Sequence, residues 1–133
     1  AWKMGLVKQP ERAASRPATP KVVLVSKPQS YRTLDGQLLQ EKDMDVCVRI
    51  FSMGIPHGAF TGTGAIAVGI AAFINDSIVA QHCSAQSDMV RVGHPSSLLL
   101  TGGRLDASGK QAVAASLTRT TRRLMDGYVY ITI

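Results

Sequence analysis

Polar side chains vanish from Ala65-Ile66-Ala67-Val68-Gly69-Ile70-Ala71-Ala72-Phe73-Ile74, directly after the glycine-rich run Gly54-Ile55-Pro56-His57-Gly58-Ala59-Phe60-Thr61-Gly62-Thr63-Gly64. A surface helix carries a polar stripe at the helical period, and this stretch carries none, so the pattern predicts a helix buried on every side. It is too short to cross a bilayer, which takes about 20 apolar residues. Gly69 weakens a helix interior by roughly 1 kcal/mol relative to alanine, which points to close packing or a nearby ligand at that position.

Elsewhere the apolar positions alternate or come in short β-branched runs. Lys21-Val22-Val23-Leu24-Val25-Ser26 reads as a buried strand, and Asp45-Val46-Cys47-Val48-Arg49-Ile50-Phe51 places Val46, Val48 and Ile50 on one face. Further strands are expected at 77–82, 88–92, 97–101 and 111–120, separated by turns at Gly93-His94-Pro95, Gly102-Gly103 and Ser108-Gly109. Tyr128 and Tyr130 alternate with Val129 and Ile131 in a last extended piece. Residues 6–16 read as the tail of a helix, ended by Pro17, Thr19 and Pro20. Asp35-Gly36 marks a turn, and residues 37–42 fit a helical turn or a strand equally well. Six or seven short strands with one buried helix predict an α+β fold, a curved and mostly antiparallel sheet wrapped around a central helix. Turns this closely spaced suit an antiparallel meander better than a doubly wound sheet.

Composition narrows the class without fixing it. A chain of 133 residues is long enough for one domain, and with few aromatics its core must be built from Ala, Val, Ile and Leu. Cys47 and Cys83 match neither a disulfide framework nor a metal spacing, and no charged start precedes an apolar leader, so a reducing cytoplasm is the expected compartment. The net charge of +6 permits nucleic-acid binding, but the basic residues are dispersed except for Arg119, Arg122 and Arg123, and no aromatics interleave them. These arginines read as a solvated or interface face. An anionic small molecule accounts for the charge at least as well.

The chemistry-bearing residues gather around the helix start. Gly62-Thr63-Gly64-Ala65-Ile66-Ala67 satisfies the G-x-G-x-x-A dinucleotide fingerprint, but a long loop separates it from the strand ending at Phe51, and the expected acidic residue further on is missing. Amides at Thr63, Gly64 and Ala65, together with the helix dipole, offer a cradle for a carboxylate; the competing explanation is glycines chosen only for a tight helix entry. His57 lies in the loop beside that mouth, where it can orient or protonate an anion, although a loop histidine is commonly only a surface residue. Ser52 and Met53, at the end of a strand, offer a hydroxyl and an apolar wall. Gly93-His94-Pro95-Ser96-Ser97 reads as a rigid turn. His82 and Cys83, adjacent in an expected strand, point to opposite faces and cannot form a dyad. No G-x-S-x-G elbow supports a hydrolase.

Taken in register, Pro20-Lys21, Ser52-Met53-Gly54 with His57, Gly62-Thr63, Arg91-Val92-Gly93-His94-Pro95-Ser96 and Arg119-Thr120-Thr121-Arg122-Arg123-Leu124-Met125-Asp126-Gly127 with Val129 resemble the PrpF-type family, which contains 2-methylaconitate cis-trans isomerase. The resemblance implies a diaminopimelate epimerase-like fold of two lobes, with the substrate held between the N-termini of two central helices. It implies that residues 1–133 form the C-terminal lobe, with 1–20 as helix tail and linker and 119–133 as a final strand that pairs with the N-terminal lobe. It further implies an isomerase that uses no metal or organic cofactor and moves a proton next to a carboxylate-activated carbon of an unsaturated tricarboxylate.

In the epimerase branch a cysteine precedes the Gly-Thr-Gly. Here that position is Thr61, so the resemblance places no catalytic base in this chain and assigns the base to the N-terminal lobe. Ser52, Met53, His57, Thr61, Gly62, Thr63, Gly64 and Ser96 are then expected to bind substrate. The implied partners are the tricarboxylate, the N-terminal lobe and a homodimer mate, with no nucleic acid and no membrane, and the chain alone is expected to be inactive. A non-catalytic carboxylate-binding module and a dinucleotide-binding domain are the alternatives.

Overall fold

The computed structural model describes residues 1–132. Its strands are β1 (Val22–Ser26), β2 (Tyr31–Arg32), β3 (Leu38–Leu39), β4 (Val46–Ser52), β5 (Ile55–Pro56), β6 (Met89–His94), β7 (Ser97–Leu105) and β8 (Ala112–Leu117). Two helices, α1 (Gly62–Ala71) and α2 (Ile78–His82), lie in sequence between β5 and β6. The main sheet runs β1-β4-β6-β7-β8, with β5 attached to β4, and a separate hairpin joins β2 to β3. That hairpin turns at Gly36, which takes a φ of 88°, as Asp35-Gly36 suggested.

The α+β reading and the mostly antiparallel sheet hold. The meander does not hold throughout, because β4 and β6 pair in parallel. The chain leaves β4 at one end of the sheet and returns through α1 and α2 to the other, so β6 has to run in the same direction as β4. Val46, Val48 and Ile50 of β4 and Val90 and Val92 of β6 are fully buried, and Val68 of α1 and Val79 of α2 pack with the valines. The period-two alternation read in β4 therefore marks the face that the helices cover.

The close packing expected at Gly69 is present. A Cβ added there would lie 2.7 Å from Thr101 Oγ1 and 3.1 Å from the Gly102 amide. On the facing strand a Cβ at Gly103 would lie 2.9 Å from a side-chain carbon of Ile70. Gly102-Gly103 is thus no turn; both glycines belong to β7, where their missing side chains admit the helix and its neighbours. Thr101 is completely buried, and its hydroxyl lies within bonding distance of the carbonyls of Ala65 and Ser116.

Four expectations are corrected. The helix is covered on one face, by Gly64, Ala65, Val68 and Gly69, while Ala67 and Ile74 are exposed, since the sheet packs on one side of it. Residues 77–82 form α2, because Ser77 caps a helical turn by accepting the Ala80 amide at 3.0 Å. Gly93 and His94 continue β6, and only Pro95 and Ser96 make the turn, since His94 pairs with Ser97. Residues 6–16 hold no α-helix; a 3-10 turn, Pro10–Ser15, stands there instead, after a shorter one at Trp2–Met4. Apart from these four, residues 118–132, the segment expected to pair with another lobe, belong to no strand of this sheet, and Tyr128, Val129, Tyr130 and Ile131 are exposed.

Candidate functional site

The register brings several chain segments to one end of the sheet. Strand β4 finishes there at Ser52, and β1 begins beside it, with Val22 opposite Phe51. Strand β6 finishes there at His94, β7 starts from Ser97, and β8 approaches it with Leu117 opposite Thr101. Helix α1 also begins at this end. Thr61 adopts an extended conformation as its N-cap, and its hydroxyl accepts the Gly64 amide at 3.2 Å. The Thr61 carbonyl accepts the Ala65 amide at 2.8 Å.

The cap changes which amides are available. Gly64 and Ala65, expected to face an anion, are both committed to Thr61, which leaves Gly62 and Thr63 as the two first-turn donors without an intrahelical partner. Thr61 itself is occupied as an acceptor.

Two cations flank these amides. Lys21 Nζ lies 3.4 Å from Thr63 Oγ1. Arg119 Nη1 lies 3.7 Å from the position that a Cβ on Gly62 would take, which places the guanidinium in contact range of the first helical residue. Among the described residues neither cation pairs with a carboxylate; the two ion pairs are Arg91 with Asp45 and Arg123 with Asp126. Lys21 precedes β1 and Arg119 follows β8, the two outer strands of the sheet path. Both reach one helix end because the sheet curls around α1. The result is a concentration of positive potential: a helix N-terminus, two free amides, an ammonium and a guanidinium.

The remaining expected residues lie on the hairpin, loop and turn that follow β4 and β6. Ser52 and Ile55 pair across a two-residue hairpin whose tip is Met53-Gly54. The His57 amide donates to Ile50 O at 2.8 Å, and its Nδ1 accepts the Ala59 amide at 3.0 Å, which puts the ring proton on Nε2. Ser96 donates its hydroxyl to Gly58 O, tying the β6–β7 turn to the glycine loop. His94 is 7% exposed and accepts the Ser96 amide at Nδ1, and burial, with the nearby Arg49 charge, holds its pKa below the ordinary value of 6.5.

His82 and Cys83 lie at the end of α2, and burial pushes the Cys83 thiol up, so the thiolate needed for nucleophilic chemistry is disfavoured. Among the described residues no group of three His, Cys, Asp or Glu side chains is placed to hold a metal ion. No described helix is long and apolar enough to cross a membrane.

Lys21 and Arg119 were not singled out as site residues by sequence reasoning. Arg119 read as part of a solvated basic face, and nothing local to either residue says that the two outer strands curl toward the same helix. The signal available was their place in the two outermost matching segments, Pro20-Lys21 and Arg119-Thr120-Thr121.

Comparison with known proteins bears on the family and the fold. The family model described as PrpF protein matches residues 1–132. The chain is 39% identical to 2-methyl-aconitate isomerase of Shewanella oneidensis over 98% of its own length, and 34% identical to 3-methylitaconate isomerase of Eubacterium barkeri over 97%. It superposes on the crystal structure of methylitaconate-delta-isomerase with a TM-score of 0.82 at 32% identity, covering 96% of this chain. In each case it spans 34% of the length of the relative. With the family model matched along the described chain and the fold shared with a solved relative, the chain belongs to the PrpF family.

Proposed function

We propose that this chain is the substrate-holding C-terminal lobe of an isomerase that moves a proton next to a carboxylate-activated carbon in an unsaturated tricarboxylate. The observation that carries the reading is the placement of Lys21 at the Thr63 hydroxyl and of Arg119 at Gly62, the two residues whose amides open the helix. A carboxylate seated there accepts from both amides and is flanked by two cations. The name of one relative, 2-methyl-aconitate isomerase, suggests the tricarboxylate; that of another, 3-methylitaconate isomerase, suggests an unsaturated dicarboxylate of the same kind.

Removal of an allylic proton leaves an enolate-like anion on the activating carboxylate. Amides and cations fixed in advance stabilise that developing charge without reorganising, which is the main way such a site lowers the barrier. Reprotonation at the same carbon after bond rotation, or at the far carbon, completes a cis-trans or a double-bond shift. Thr61 does not serve as the base: a threonine hydroxyl is far too weak an acid, and this one caps the helix. Its role is to fix the amides. The base belongs to an N-terminal lobe, and residues 119–132 supply a strand to that lobe. Ser52, His57 and Ser96 shape the border of the site, with His57 Nε2 as a donor to a second carboxylate. On this reading no metal or organic cofactor takes part, the protein works in the cytoplasm, and homodimer formation is compatible with it.

The dinucleotide alternative is disfavoured by the hairpin and loop that intervene between β4 and α1, where the phosphate turn is tight. Calorimetric titration of the full chain with trans-aconitate tests the proposal. Lys21→Met and Arg119→Met are each expected to weaken binding about tenfold, the size of one lost charged hydrogen bond. Unchanged affinity in the double variant, or tight binding of NAD with no response to the tricarboxylate, would overturn it. The chain alone is expected to show no turnover, and measurable isomerisation of aconitate or methylaconitate by it would remove the assignment of the base to another lobe.

A further inference from the structure

Among the described residues two non-glycines adopt a left-handed backbone, Met53 at φ 58° and Asp76 at φ 63°. Asp76 belongs to the residue class that tolerates this region, because a short polar side chain can hydrogen-bond locally. Methionine has no such compensation. Met53 is followed by Gly54 at φ 80°, so both tip residues of the β4–β5 hairpin are left-handed, the geometry for which Asn-Gly and Asp-Gly are the favoured sequences. Methionine therefore occupies the position at a steric cost.

Packing within the chain does not repay that cost. Met53 is 58% exposed, and Ile55, across the tip, is 65% exposed. A large apolar side chain is held where local conformation opposes it and the core does not use it. Its place in the fold gives the reason. The hairpin extends β4 at the end of the sheet where α1 begins, and Phe51 pairs with Val22, the residue directly after Lys21. The apolar tip thus follows the Phe51–Val22 pair on the side where Lys21 reaches Thr63 at the helix start.

We propose that Met53, with Ile55 beside it, is a specificity-determining residue that packs against the hydrocarbon part of the anion held at Gly62 and Thr63, favouring a methyl-bearing unsaturated acid over its counterpart without the methyl. The inference rests on the functional reading above and adds what that reading leaves open, the source of preference among acids with the same carboxylates. The cations and amides recognise charge and cannot count methyl groups. An apolar contact can, and one methyl in such a contact discriminates by about tenfold or more.

The test is calorimetric titration of the full chain and its Met53→Asn and Met53→Leu variants with methylaconitate and with aconitate, alongside thermal unfolding. Met53→Asn is expected to raise the unfolding midpoint, because asparagine suits the turn, and to lower the ratio of methylaconitate to aconitate affinity about tenfold. Met53→Leu is expected to preserve the ratio. Equal weakening of both acids in Met53→Asn would show that the side chain meets protein and not the methyl group, and would overturn the proposal; so would an unchanged ratio. If the unmodified chain binds neither acid, the functional reading itself fails. If it binds both acids with no preference, the inference about Met53 fails while the carboxylate site stands.

Discussion

His94 is buried on the core side of β6 with its Nδ1 accepting the Ser96 amide, and burial, with the Arg49 charge, lowers its pKa from the ordinary value. The unfolded chain takes up a proton at this residue below the ordinary value of 6.5, whereas the folded chain resists it to lower pH. Stability is therefore complete above that value and falls as the pH drops through the window beneath it, until the folded site is protonated as well. His94→Asn keeps an acceptor near the Nδ1 position and removes the titration. Urea unfolding at pH 7.5 and pH 5.5 should show a smaller acid loss in the variant than in the parent, and equal losses would rule out His94 as the source. Thr61 gives a second measurement at this scale. Thr61→Ala frees the Gly64 amide and should cost about 1 kcal/mol, while Thr61→Ser should cost less than half as much. If alanine and serine destabilise equally, the hydroxyl is not what holds the helix start.

Helix α1 and strand β7 meet through glycines, which inverts the usual effect of a helix substitution. Gly69→Ala improves helix propensity by roughly 1 kcal/mol but puts a methyl 2.7 Å from Thr101 Oγ1 and 3.1 Å from the Gly102 amide, a clash with a buried side chain and with backbone. Overpacking of this kind costs about 1–3 kcal/mol, so the variant should be less stable in urea; a gain would mean that the helix can lift off the strand without loss. The same contact separates what was legible in the sequence from what was not. The unbroken apolar run, its glycine and the alternation of Val46, Val48 and Ile50 each report on a local environment, and the helix, its close packing and the buried face of β4 followed from them. Gly102-Gly103 was misread as a turn because a glycine pair looks the same whether it bends a chain or admits a neighbour. Residues 77–82 were misread because Ile78 and Val79 favour a strand, while Ser77, which caps the Ala80 amide, decides for a helical turn. At the site, Thr61, Gly62 and Thr63 were legible as a helix mouth, but the cap then redistributed the amides. Lys21 and Arg119 come from opposite ends of the fold and become neighbours only through the curl of the sheet.

That curl is a property of the whole molecule, and so is what it leaves uncovered. The main sheet ends at β8, and the chain continues with one further ladder contact, the Thr118 amide to Leu100 O at 2.9 Å. Beyond it residues 119–132 have no secondary structure, and Leu124, Met125, Tyr128, Val129, Tyr130 and Ile131 stand exposed. The ion pair of Arg123 with Asp126 is exposed as well and contributes little. In the proposed two-lobe arrangement this alternating apolar segment pairs as a strand with the sheet of the other lobe. The relatives are about three times as long as this chain, so the comparison can be made directly. In the chain alone, trypsin should cut after Arg119, Arg122 or Arg123 ahead of Arg49 in β4 and Arg91 in β6, because cleavage follows local opening and these three sites lie outside the sheet. In a full-length relative the matching segment should resist cleavage at the same protease ratio. Equal susceptibility in both would show that the segment is not built into a second sheet and would separate the fate of this segment from the carboxylate site, which draws on it only through Arg119 beside Gly62.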